Sequence, residues 1–113
     1  MTLNEYQEKA MTTCLPTCDN FSYMMLNLVG EVGELAGRVA KAIRHDVATV
    51  SNDAILTNGD VMRDLEKEAG DVLWQLSGLC SVMGWDLEDI AQQNLDKLAD
   101  RKAAKEAAEK EAL

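Results

Sequence analysis

The sequence predicts an all-α domain of four helices in a bundle-like arrangement. Three observations lead there. Apolar residues recur at helical spacing along most of the chain. Proline occurs once, and the helix formers Ala, Leu, Met, Glu and Lys are abundant. The 113 residues, 47% hydrophobic and 27% charged, suit a single soluble domain with a modest core.

The first helix runs from about Thr2 to Thr13, and Leu15-Pro16 breaks it. The second opens after Asp19-Asn20, both good caps, and extends from Phe21 to about His45. Its apolar stripe is Met24, Met25, Leu28, Val32, Leu35, Val39 and Ile43. Asp46 to Asp60 contains Ser51-Asn-Asp53 and Asn58-Gly59 and reads as a loop. The third helix spans about Val61 to Met83 on a stripe of Val61, Leu65, Val72, Leu76, Leu79 and Met83, and Gly84 stops it. Asp86 is the expected cap of the fourth helix, which passes through Ile90, Leu95 and Leu98. Residues 1–101 form the expected domain. Residues 102–113, rich in Ala, Lys and Glu, continue the helix as a solvated tail of alternating charge.

A formal net charge of −9 argues against a nucleic-acid backbone or an anionic membrane as partner. No apolar stretch is long enough to span a bilayer, and the acidic start Met1-Thr-Leu-Asn-Glu5 lacks the apolar region of a secretory signal. Three cysteines, Cys14, Cys18 and Cys80, cannot all pair within one chain, so the expected location is the reducing cytoplasm. Cys14, Cys18 and His45 match no common zinc spacing, and buried or idle thiols are the better reading.

Two short motifs carry the chemistry: Glu31-Val-Gly-Glu34 and Glu68-Ala-Gly-Asp71. Each projects two carboxylates from one helix face. Glu31, Glu34 and Arg38 form a strip bordering the apolar stripe of the second helix, and Asp64, Glu68, Asp71 and Gln75 form a similar strip on the third. Packing of the two stripes would bring both acidic edges to one side of the seam. Carboxylates so gathered repel one another, and a hard divalent cation relieves them; Mg²⁺ commonly works beside substrate phosphates. Such an ion would also reverse the local field for an anionic nucleotide. By spacing alone the motifs suit solvated surface acids as well, since the chain holds 20 acidic residues. Gly30, Gly33 and Gly37 around one pair, and Gly70 and Gly78 around the other, shift the balance. Glycine inside a helix costs roughly 1 kcal/mol against alanine, so this placement predicts close helix approach or a site.

Gly30-Glu-Val-Gly-Glu-Leu-Ala36, followed by Lys67-Glu-Ala-Gly-Asp-Val-Leu-Trp74, resembles the MazG-like nucleoside triphosphate pyrophosphohydrolases of the all-α NTP pyrophosphatase superfamily. Tyr6-Gln7, Lys41, Arg44, Asn94, Lys97 and Arg101 add to the likeness, which spans about Glu5 to Arg101. The resemblance implies a dimer, often a tetramer. It implies Mg²⁺, with Mn²⁺ as a substitute, held by Glu31, Glu34, Glu68 and Asp71. It further implies hydrolysis of an NTP or dNTP to the monophosphate and pyrophosphate, by a metal-activated water attacking the α-phosphorus. One of these carboxylates would orient this water, with Glu34 the first candidate and the other three left open by the sequence. Lys97 and Arg101, about one turn apart, would meet the phosphates, and Asn94 shares their face. Gln75 would touch the sugar or base or be an ordinary buried polar residue, Trp74 and Trp85 would stack a nucleobase or serve the core or an interface, and Lys41 and Arg44 fall to the rim or surface. One departure stands out: the two motifs are unusually far apart, with the excess in Asp46–Asp60, which leaves substrate choice open.

Two other functions fit the same residues. One is a same-fold hydrolase of phosphoribosyl-ATP or a deoxypyrimidine nucleotide. The other is a non-catalytic helical interaction module whose acids keep it soluble. Release of pyrophosphate from a nucleotide with Mg²⁺ separates enzyme from module.

Overall fold

Thr2 accepts a hydrogen bond from the Glu5 amide (3.0 Å) and starts α1, Leu3–Met11, in the computed structural model, which describes residues 1–113. The next helix, α2 (Phe21–Arg44), is capped by Asn20, whose Oδ1 accepts from the Tyr23 amide at 2.9 Å. A hairpin of β1 (Ala48–Val50) and β2 (Ile55–Thr57) leads to α3 (Gly59–Val82), where Asn58 Oδ1 accepts from the Val61 amide at 2.9 Å. Gly84, at φ 71°, takes the left-handed turn that ends this helix. The last element is α4, Leu87–Glu111, which runs without a break through residue 101.

Two expectations change here. The Asp46–Asp60 segment is not a plain loop. Its β-branched runs pair antiparallel in the register Ala48↔Thr57, Thr49↔Leu56 and Val50↔Ile55 around a Ser51–Ala54 turn. Asp46, at φ 58°, turns the chain out of α2 toward this hairpin. The second change concerns Asp86, which occupies the cap position of α4 but whose carboxylate caps nothing. The orphan amides are met from α1 instead: Gln7 Oε1 accepts from Leu87 (2.8 Å) and Asn4 Oδ1 from Glu88 (3.1 Å).

The α2/α3 pair is the body of the molecule, with α1 laid on α3. Trp74 braces that second contact, its indole N–H reaching Ala10 O (3.1 Å) and Thr13 Oγ1 (3.0 Å). Met24, Ala42, Leu79, Cys80 and Leu87 are the buried apolar residues. Among the flanking glycines, only Gly78 marks a close helix approach, because a Cβ there would overlap the Met24 thioether. The positions of Gly33, Gly37 and Gly70 face open space, so close packing within the chain does not explain them. From Gln92 onward every residue of α4 is exposed. Cys18 and His45 lie beyond opposite ends of α2, a helix about 36 Å long at 1.5 Å per residue, so they cannot share a zinc ion. No helix is long and apolar enough to cross a membrane.

Candidate active site

Helices α2 and α3 run antiparallel, so residue numbers on one rise as those opposite fall: Asn27 meets Gln75, Arg38 meets Glu68, and Ala42 shares a cleft with Val61. This register brings the two acidic motifs together. One carboxylate oxygen from each of Glu31, Glu68 and Asp71 lies within 4.8 Å of the other two. Glu34, one turn further along α2, is exposed and stands outside the trio.

The surroundings tie down one oxygen of two of these acids and leave the other bare. Glu31 Oε1 is 3.4 Å from the Asn27 amide nitrogen, which also lies 2.9 Å from Gln75 Oε1 and 3.3 Å from the Tyr23 hydroxyl. Glu68 Oε1 pairs with Arg38 Nε at 3.3 Å. Glu31 Oε2 and Glu68 Oε2 are buried and have no hydrogen-bond partner. Buried polar atoms are almost always satisfied, and an orphan costs about 1–3 kcal/mol, more when charged. Desolvation first, then the charges of Glu34, Asp71 and Glu68, hold the Glu31 carboxyl above its ordinary value. Tyr6 is raised too, by burial and then by the charge of Asp71, which places α1 beside the cluster.

A hard divalent cation fits this donor set. The ligands are all oxygens, they come from two rigid helices, and two of their atoms lack any other partner.

The remaining residues singled out by the sequence fall elsewhere. Gln75 is 1% exposed, and its Nε2 is engaged by Met24 O (3.3 Å) and Met24 Sδ (3.2 Å), so it acts on the site by holding Asn27 against Glu31. Trp74 is the strut to α1 described above, and Trp85 sits at the turn before α4. Asn94, Lys97 and Arg101 are exposed on α4, Asn94 at the edge of an apolar cleft with Leu73 and Leu76 of α3, and none has an ion pair or hydrogen bond to the acidic trio. Conversely, Asn27 and Arg38 join the site without having been assigned a role. Their signal is positional: each sits one helical turn outside the Glu31–Glu34 motif.

A model of the MazG nucleotide pyrophosphohydrolase domain matches residues 19–104, a span that contains both acidic motifs. The Gene 37 protein of Mycobacterium phage L5 is 36% identical over 88 residues, which cover 75% of this chain and 71% of that protein. No solved structure matches the chain.

Proposed function

Because this chain belongs to the MazG nucleotide pyrophosphohydrolase family, we propose that it converts an NTP or dNTP to the nucleoside monophosphate and pyrophosphate with Mg²⁺, or Mn²⁺ in its place. The observation that carries the reading is the pair of buried, partnerless oxygens on Glu31 and Glu68, set beside Asp71. These three residues would hold the ion, with Glu34 completing the set from one turn away. When bound, a divalent cation supplies positive charge against the triphosphate and makes a coordinated water more acidic.

The chain's own residues divide the rest of the work. Glu34 is solvent-facing and outside the trio, which suits it to orient the attacking water and accept its proton. Asn27, held by buried Gln75, fixes the rotamer of Glu31. Arg38 offsets the charge of Glu68, so the trio stays assembled without excess repulsion. Asn94, Lys97 and Arg101 retain a role at the phosphates only if they act across a subunit boundary, since α4 leads them away from the cluster of their own chain. Residues 1–101 are the proposed catalytic unit, with 102–113 as a solvated extension of α4. Three free thiols support a reducing, cytoplasmic workplace.

The test is pyrophosphate release across a panel of NTPs, dNTPs and phosphoribosyl-ATP, with Mg²⁺ and with EDTA. Metal-dependent release from at least one triphosphate is expected. No release from any member would leave the interaction module as the better account.

A further inference from the structure

The α2/α3 seam changes sign along its length. At one end stand the neutral groups of Tyr23, Asn27 and Gln75, and in the middle the clustered carboxylates of Glu31, Glu68 and Asp71. Past Arg38 the seam opens into a cleft of about 310 Å³, the lower end of the ligand-pocket range of about 300–1,000 Å³. Arg38 and Lys41 of α2 and His45 at its C-cap line it, against the single carboxylate of Asp64 from α3. Ala42, Val47 and Val61 complete its wall. The hairpin makes that wall rigid: Val47 N donates to Ala42 O (3.0 Å), and Thr57 Oγ1 donates to Val47 O (2.7 Å).

Arg38, Lys41 and His45 facing one acid run against the composition of a chain with 11 Lys and Arg and one His to 20 acids. Basic residues in a last helical turn are commonly explained by the helix dipole. That accounts for Lys41 and Arg44 but not for Arg38, more than a turn earlier. Nor does it account for a cleft in which the side chains of Lys41 and His45 have no hydrogen-bonding or ion-pairing partner in the chain. Arg38 spends only Nε on Glu68, and its side chain is 46% exposed. Arg38 and Lys41 follow Glu34 by about 6 and 10 Å along the axis, and helical side chains lean back toward the N-terminus, here toward the carboxylates.

We propose that this cleft receives the terminal phosphates of the substrate. The triphosphate then lies along the seam, with its α-phosphate at the carboxylates and its far end at Arg38, Lys41 and His45. The nucleoside lies toward Asn27 and Tyr23. The leaving pyrophosphate is thereby held by the chain's own cations. The inference rests on the pyrophosphohydrolase reading, and binding can be measured apart from turnover.

Magnesium tripolyphosphate, which has no nucleoside, is the probe, titrated calorimetrically into the full chain. The wild type should bind it. Lys41→Ala should bind at least about tenfold more weakly, as expected for a lost charged hydrogen bond. Lys41→Arg should restore most of the affinity, and Lys105→Ala, on the exposed end of α4, should not alter it. Circular dichroism checks that each variant is folded. A wild type that ignores tripolyphosphate, or a Lys41→Ala/His45→Ala double variant that binds it as the wild type does, overturns the proposal. Pyrophosphate release with unchanged tripolyphosphate affinity in that double variant would leave the hydrolase standing without the cleft. Lys41-dependent binding with no hydrolysis of any nucleotide would do the reverse.

Discussion

Arg38 Nε stands 3.3 Å from Glu68 Oε1, so a cation of α2 is tied to the most buried carboxylate of the acidic trio. The pair is the hinge between the two halves of the seam. It is one reason the acids tolerate each other without metal, and its free guanidinium nitrogens border the basic cleft. Removing Arg38 leaves Glu68 with no partner for either oxygen. Arg38→Ala should therefore lower the metal-free stability by about 1–3 kcal/mol, toward the small end because the arginine is half exposed. Added Mg²⁺ should shrink the deficit, since the ion replaces the missing charge. Denaturant melts in EDTA and in Mg²⁺ measure both numbers, and an equal loss in the two would separate the pair from the metal site.

Glu31 sets the pH behaviour of the metal-free protein. Its carboxyl is held above the ordinary value by desolvation and by Glu34, Asp71 and Glu68, so the folded state keeps its proton to higher pH than the unfolded chain does. Where the native state binds more protons, stability falls as pH rises. The contribution of Glu31 is thus favourable near and below the usual carboxylate range, and is lost as pH climbs through the raised value. Melting temperatures in EDTA should show this decline, and Glu31→Gln should flatten it. A Glu31→Gln profile parallel to wild type would show that other groups set the slope.

Gly78 and Gly70 give opposite expectations for the same substitution. A Cβ at Gly78 would overlap the thioether of Met24, a fully buried side chain that also accepts a hydrogen bond from Gln75. Gly78→Ala should destabilise by about 1–3 kcal/mol through overpacking, less whatever helix propensity returns. At Gly70 a Cβ meets nothing, so Gly70→Ala should stabilise by about 0.4–1 kcal/mol. Chemical denaturation of the two variants decides the matter, and stabilisation by Gly78→Ala would show that Met24 simply moves aside.

What the sequence made legible follows from the range of each interaction. Long apolar stripes located α2 and α3, and the Pro16 break and the Asp86 cap position bounded α1 and α4. The i, i+3 spacing marked Glu31, Glu34, Glu68 and Asp71, of which all but Glu34 form the trio because both strips border the face that packs. Asn27 escaped, and Arg38 stood on the acidic strip without a role, because both roles depend on which α3 residue lies opposite, a register that periodicity within one helix does not encode. The capping of α4 by Gln7 and Asn4 is hidden for the same reason, since each reaches across from the other end of the chain. The hairpin was missed because strands of three residues are too short to display alternation.

Self-association is the prediction drawn from what one chain leaves uncovered. Ten of 113 residues are buried, while Leu26 and Val29 on α2 are 74% and 71% exposed and Leu95 and Leu98 on α4 are also open. Gly33 and Gly37 share the outer side of α2 with Leu26 and Val29, and their Cβ positions face open space, which lets another helix approach closely. Apolar area of this kind marks an interface, and a second copy covering it would form a dimeric core or a tetramer. Sedimentation should show an oligomer at micromolar concentration, and Leu26→Glu/Val29→Glu should shift it to monomer. A monomeric wild type would refute the interface and would leave Lys97 and Arg101 without a route to the acidic cluster.

The bond that breaks is testable independently of all these surfaces. Glu31, Glu68 and Asp71 gather at the middle of the seam, between a neutral end and a basic end. A triphosphate laid along that gradient presents its α-phosphorus to the carboxylates, with the attacking water beside Glu34. Hydrolysis in ¹⁸O-labelled water should therefore put the label in the nucleoside monophosphate and leave pyrophosphate unlabelled. Glu34→Gln keeps the shape but cannot accept a proton, so turnover should fall by about 10²–10⁴-fold with the label position unchanged. Label in free orthophosphate, with a nucleoside diphosphate as the other product, would mean that the terminal phosphate sits at the carboxylates. The nucleotide would then lie displaced along the seam, and the chain would be a phosphatase built on the same metal site.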